Sequence, residues 1–198
     1  MLSARFFATF AGAFAIAALA TGISTLPERK SYLSPYQDAW KTFLQDSVFV
    51  LYQRSYEHDP LVGWNGRCFH GRNYEWNTEE KYAVAETYYW DDAAKKIVNK
   101  TLYTTPEATE GYTVPNAMTV SPYKDKLVSV YYPFVVSEYR NCDILRSPGS
   151  NNGCQMWVTL DGLHNISSAC FFIYDLLCGP NKFQKYDEEF CRDKIQIK

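Results

Sequence analysis

Cys68, Cys142, Cys154, Cys170, Cys178 and Cys191 carry the chemistry that is easiest to read, because all six lie well past the N-terminal segment and their number is even. In an exported chain that pattern means three disulfides, and spacing alone leaves about fifteen pairings open. No Cys-x-x-Cys or paired Cys/His knuckle occurs, so no metal site is expected, Cys68-Phe69-His70 included. The histidines, His58, His70 and His164, have no Ser or Cys partner at a spacing that would make a nucleophile, and read as surface or loop residues. Glu79-Glu80 and Asp91-Asp92 offer paired carboxylates, yet adjacent acids in a strand or turn point apart and solvate a loop. No catalytic residue, cofactor or enzyme activity is expected. Asn99-Lys100-Thr101 and Asn165-Ile166-Ser167 are glycan acceptor sequons, which would place Asn99 and Asn165 at the surface.

Export is what makes the disulfide reading possible. Arg5 is followed by an apolar run from Phe6 to Ala20 that is too short to span a membrane, and Ala18-Leu19-Ala20 supplies small residues for cleavage. The expected organisation is a signal peptide over 1–20, a linker over 21–32 and one domain over 33–198, secreted, extracellular and monomeric. With 20 basic and 22 acidic residues, loss of Arg5 leaves the mature chain near −3, with no basic run of nucleic-acid type. No second spanning stretch or hydrophobic anchor follows, so no membrane partner is expected. Aromatic residues make up 17% of the chain, enough to surround a flat or apolar ligand, and equally to fill an aromatic-rich β core.

The elements that must position these residues are mostly strands. Asp38-Ala39-Trp40-Lys41-Thr42-Phe43-Leu44 has helical spacing and predicts a short opening helix anchored by Trp40. Period-two, β-rich runs follow at 47–56, 82–90, 97–104, 112–120, 127–137 and 155–160, separated by turn-forming clusters such as residues 106–111 and 147–153. Such a meander can close on itself, removing its exposed edges, and about eight strands leave room for one small ligand. Residues 166–178 switch to helical spacing, with Asn165 or Ser167 as cap and Gly179-Pro180 as terminator. The expected class is all-β: an eight-stranded antiparallel barrel with a short N-terminal helix and a C-terminal helix packed outside.

Read in order, Asp38-Ala39-Trp40, Tyr56-Glu57-His58-Asp59-Pro60, Cys68, Cys142-Asp143-Ile144, Cys154-Gln155-Met156-Trp157, Cys170 and Cys191 resemble the tick salivary lipocalins of the histamine-binding group. The resemblance covers nearly all of the mature chain. It implies a lipocalin-type barrel and bridges from Cys68 to Cys191 and Cys142 to Cys170, leaving Cys154 for Cys178. It also implies capture of an amine by acidic side chains inside the barrel, with aromatic rings stacked on the ligand. A cation that gives up its hydration needs carboxylates and aromatic faces to offset the loss.

By that resemblance Tyr56 and Asp59 stand at pocket positions, and Gln155 and Trp157 at the late motif. Gln155 replaces the usual Glu, Pro133 falls near a second acidic position, and Val62 replaces a pocket Trp that Trp64 could stand in for. Losing two carboxylates leaves Asp59 nearly alone against a cation, unless Asp143 and Glu138 build a different site. The ligand set is therefore Tyr56, Asp59, Trp64, Tyr131, Gln155 and Trp157, from a wider aromatic pool of Tyr88, Tyr89, Trp90, Tyr103, Tyr132 and Phe134. Two ligand classes stay open. One is a biogenic amine such as histamine or serotonin; the other is a leukotriene or fatty acid whose carboxylate meets Arg54 or Arg140. Sequestering such a host mediator would suppress host inflammatory or haemostatic defence. The alternative is a protein-binding inhibitor acting through the barrel's outer surface and loops.

Overall fold

In the computed structural model, which describes residues 26–61 and 65–195, the chain closes into a barrel of eight antiparallel strands. The expected leader over 1–20, Val62 and Trp64 lie outside the described residues. The strands are β1 (Phe49–Arg54), β2 (Arg67–Asn77), β3 (Tyr82–Asp91), β4 (Lys96–Glu107), β5 (Ala117–Ser121), β6 (Val130–Ser137), β7 (Cys142–Ser147) and β8 (Gly153–Thr159). Each pairs with the next, and β8 returns to β1 to close the ring. A two-residue β9 (Phe183–Gln184) adds to the far half of β1.

Two strands have no clean signature in the sequence, for a physical reason. In β2 the register shifts between Arg67 and His70 and again between Asn73 and Glu75, so the inward-facing set changes phase and the period-two pattern is erased. In β7 all six residues are buried, one set inside the barrel and the other beneath a helix, so no polar face marks the alternation. The strand expected over 112–120 begins only at Ala117, while β4 runs through Pro106 to Glu107. Pro106 is tolerated there because pairing with β3 has ended at Thr104.

Three short helices complete the fold: α1 (Ala39–Phe43), α2 (Ser168–Cys178) and α3 (Glu188–Cys191). Asp38 starts α1 by accepting from the backbone N–H of Trp40 and Lys41 at 3.0 and 3.2 Å. The anchor of α1 is Phe43, not Trp40: Phe43 is buried, while Trp40 is half-buried beneath the Lys81 ammonium. Ser167 caps α2 by accepting from Cys170 N–H, and Gly179 ends it at a positive φ of 80°.

The inner core joins Leu51, Phe69, Ala85, Leu102, Val120 and Leu145 across the barrel. A second cluster sits outside it, where Ile144, Met156 and Val158 meet Cys170 and Tyr174 of α2. Disulfides join Cys142 to Cys170 and Cys154 to Cys178, fastening α2 at both ends, and Cys68 to Cys191, tying the tail to β2. Packing starts earlier than residue 33. Glu28 is buried against Arg146, with Oε1 2.6 Å from Nη2 and 2.8 Å from Nε. Its carbonyl accepts from Gln37 at 2.9 Å.

Candidate functional site

Alternate residues of the strands face a cavity of about 120 Å³ inside the barrel. Its walls are largely apolar, built from Phe69, Leu102, Phe134, Leu145 and Trp157, with Thr42 and Phe43 of α1 across one end. The ring of Phe69 packs parallel to Tyr89 at 5.9 Å and edge-on to Trp157 at 5.5 Å, so the aromatic wall is preset. The charged groups on the wall are Asp143, toward α1, and the partly buried Arg72; Tyr132, Gln155, Asn73, Thr42, Thr87 and Thr104 add neutral polar groups.

Behind Tyr132 and Gln155 lies Asp59, fully buried in the loop after β1. Its carboxylate accepts from Tyr56 Oη at 2.6 Å, Gln155 Nε2 at 2.8 Å and Tyr132 Oη at 3.1 Å, and from Leu61 N–H at 3.0 Å across Pro60. The last bond is the ordinary Asp-Pro turn; the other three gather residues from β6, β8 and the loop. Gln155 also donates to Tyr56 Oη, and its own Oε1 accepts from Trp157 Nε1 at 2.9 Å. This bonding suits the amide that stands here in place of the Glu implied by the resemblance. A carboxylate at 155 would face Asp59 with no donor to offer it, whereas the amide donates to one side and accepts from the other.

Arg54 adds a charge of the opposite sign. Its guanidinium is buried 5.6 Å from the Tyr56 ring centre, and burial lowers its pKa while the Tyr56, Asp59 and Tyr132 oxygens counter that effect. Burial, and then the Asp59 charge, push both the Tyr56 and Tyr132 hydroxyls upward, so both stay protonated donors. Asp59 is thus a saturated internal hub and is not on the cavity wall.

Asp143 has the opposite character. It is the acidic residue on the wall, is 4% exposed, and forms no ion pair among the described residues. Burial raises its carboxyl to about 7, with the Glu138 charge adding to the rise and a hydrogen bond from Ser137 opposing it. Ser137 Oγ lies 3.1 Å from Thr42 Oγ1, which links this carboxyl to α1.

Of the residues expected to form the site, the fold brings Tyr56, Asp59, Gln155 and Trp157 together, with only the last two on the wall. Tyr131 is placed elsewhere: it is half-buried with its hydroxyl 3.5 Å from Arg29, while its neighbour Tyr132 faces the cavity. Trp64 lies outside the described residues. The phase of β6 decides between Tyr131 and Tyr132, and a run reading Tyr-Tyr-Pro-Phe does not reveal it. Neither Arg54 nor Arg140 reaches the wall, the first being buried behind Tyr56 and the second exposed. His70 corrects the surface reading: it is buried on β2, stacked on Tyr88 at 5.3 Å, with Nδ1 2.8 Å from Cys68 O. Asp92 pairs with Arg67 and Asp91 caps a turn, so those adjacent acids are structural. Asn99 and Asn165 are both exposed.

A closed eight-stranded barrel with an internal cavity, an opening helix and an outer C-terminal helix defines the lipocalin class. The family profile described as tick histamine binding protein matches residues 27–193, and the chain belongs to that family. The male-specific histamine-binding salivary protein of Rhipicephalus appendiculatus is 28% identical over 154 residues, covering 71% of this chain and 72% of the relative. Among solved structures, the AM182 serotonin complex superposes with a TM-score of 0.55 at 14% identity, covering 76% of this chain and 90% of that one. Japanin from Rhipicephalus appendiculatus bound to cholesterol gives 0.55 at 15% identity, covering 75% and 97%. At those identities the two structures speak to the fold.

Proposed function

We propose that this chain is a secreted salivary lipocalin that sequesters a small aromatic amine in the barrel, with Asp143 as the counter-charge. The observation that carries this reading is a buried carboxyl on a largely apolar, aromatic wall, in no ion pair among the described residues. A protonated amine entering there would supply the missing partner, and the rings of Phe69, Phe134 and Trp157 would pack against the flat remainder of the ligand. Asp59 serves a different purpose in this reading: it holds Tyr132, Gln155 and through them Trp157 in fixed rotamers, which lowers the ordering cost of binding. The histamine-binding name of the salivary relative and the serotonin in the AM182 complex agree with an amine. A lipid carboxylate is opposed by Asp143, and of the cavity-lining residues only Arg72 could meet it, neither Arg54 nor Arg140 being on the wall. The salivary relative, the three disulfides and the exposed sequons support an extracellular role directed at a host mediator.

Calorimetric titration with histamine and serotonin tests this. Asp143→Asn should weaken the better amine at least tenfold, about 1.4 kcal/mol, with the fold intact. Unchanged affinity would remove Asp143 from the site, and heat only with arachidonate or leukotrienes would replace the amine with a lipid.

A further inference from the structure

Among the eight barrel strands the shortest ladder is the one between β1 and β2. β1 and β2 pair only at Phe49 with Gly71 and Val50 with His70, whereas β2 and β3 pair along most of their length. Beyond Gly71, β2 runs from Arg72 to Asn77 with no ladder partner on the β1 side. What meets that stretch is α1, joined to β2 by two side-chain bonds to a single carbonyl: Asn73 Nδ2 and Trp76 Nε1 donate to Phe43 O at 3.0 and 2.6 Å, while its other anchors, Ala39 N–H to Pro115 O at 2.7 Å and Thr42 to Ser137, go to other parts of the barrel. Side-chain bonds of this kind open at far lower cost than a main-chain ladder.

Outside the seam lies a second, more polar cleft of about 210 Å³, formed by Asp46, Ser47 and Val48 before β1, and by Thr159 at the end of β8 with Leu160 and Asp161 beyond it. Arg72 lines this cleft and the barrel cavity alike. One residue without a β1 partner, the cationic Arg72, therefore lies between an outer cleft that carries two aspartates and the inner wall that carries Asp143. Asp46 and Asp161 are exposed, so their field reaches solvent, where it raises the local concentration of a cation.

We propose that ligands reach the cavity through this seam, between β2 and residues 44–48, with Asp46 and Asp161 drawing cations into the outer cleft and Arg72 as the movable divider. The proposal rests on the cavity being the binding site, and it extends that reading by naming residues that select for charge during access. The loops at the opposite end of the barrel, including the one between β5 and β6, would then take no part in uptake.

Stopped-flow mixing, with the quenching of Trp157 as signal, separates the possibilities using histamine and the neutral fluorophore N-phenyl-1-naphthylamine. Ser47→Trp, which fills the cleft, should slow association and dissociation of both probes by the same factor of about ten, leaving Kd unchanged, as expected for a residue on the path and not in the site. Asp46→Asn combined with Asp161→Asn should slow histamine about three- to tenfold at low salt, remove most of its ionic-strength dependence, and leave the neutral probe unaffected. Leu127→Trp in the β5–β6 loop should change neither rate. Slowing by Leu127→Trp in place of Ser47→Trp would overturn the proposed route. If histamine fails to bind while the neutral probe does, the amine reading falls and the Ser47→Trp comparison still decides the route; if neither probe binds, both fall.

Discussion

The Tyr132 hydroxyl lies 3.1 and 3.2 Å from the two carboxylate oxygens of Asp59, joining residues 73 apart in the chain. With Gln155 Nε2 2.8 Å from Oδ2, this contact closes a polar knot behind one wall of the cavity. Asp59 is an expected ligand-binding acid; in the fold its carboxylate is off the cavity wall and braces Tyr132 and Gln155 from behind.

The brace makes the amide at position 155 essential to stability. Gln155→Glu would set two carboxylates at hydrogen-bond distance in a buried place, where one of them must take up a proton. The variant should lose about 2–4 kcal/mol of unfolding free energy at pH 8 and regain most of it near pH 5. Urea titrations at the two pH values check this, and equal losses at both would show that the pair does not share a site.

Asp143 predicts a pH dependence of binding with a definite sign. Its carboxyl titrates at about 7 in the empty protein, and only the ionised form attracts a cation. Amine affinity should therefore hold above pH 7 and fall roughly tenfold per unit between about pH 6.5 and 5. Asp143→Asn should bind weakly with a flat profile over the same range.

The same group predicts the stability of the unliganded fold. Because burial raises its pKa, the folded state binds the proton more tightly than the unfolded chain, and that contribution, full below about pH 4, is lost as pH rises through about 7. Asp143→Asn removes the penalty and should stabilise the empty protein at pH 8 by about 2–4 kcal/mol while weakening amine binding. Thermal melts at pH 5 and pH 8 read both signs.

Glu28 and Arg146 predict what the N-terminal segment contributes. Their side chains are 2% and 4% exposed, so breaking the pair leaves a buried charge with half its partners gone. Glu28→Gln should cost about 3–5 kcal/mol, whereas Glu188→Gln at the exposed Glu188–Arg192 pair should leave stability nearly unchanged. Chemical denaturation of the two variants side by side gives the comparison.

The disulfides should differ in weight. Cys68–Cys191 spans 123 residues and Cys154–Cys178 spans 24. By chain entropy the first restrains the unfolded state by about 5 kcal/mol and the second by about 3–4 kcal/mol. Replacing each pair with Ser and measuring the melting shift would show the order, and a larger loss from the short bridge would mean that the hold on α2 matters more than loop closure.

What was legible in the residues is what local pattern can carry. An even set of six cysteines signals bridges, turn clusters between β-rich runs spell a meander, and the contact of Tyr56 with Asp59 spans only three residues. The tertiary structure alone decided that Tyr132, and not Tyr131, faces inward, that Asp59 is saturated, and that Asp143 is the acid on the wall. The physical reason is phase: which half of an alternating strand turns inward is set by bulges and by barrel closure, and both depend on partners tens of residues away.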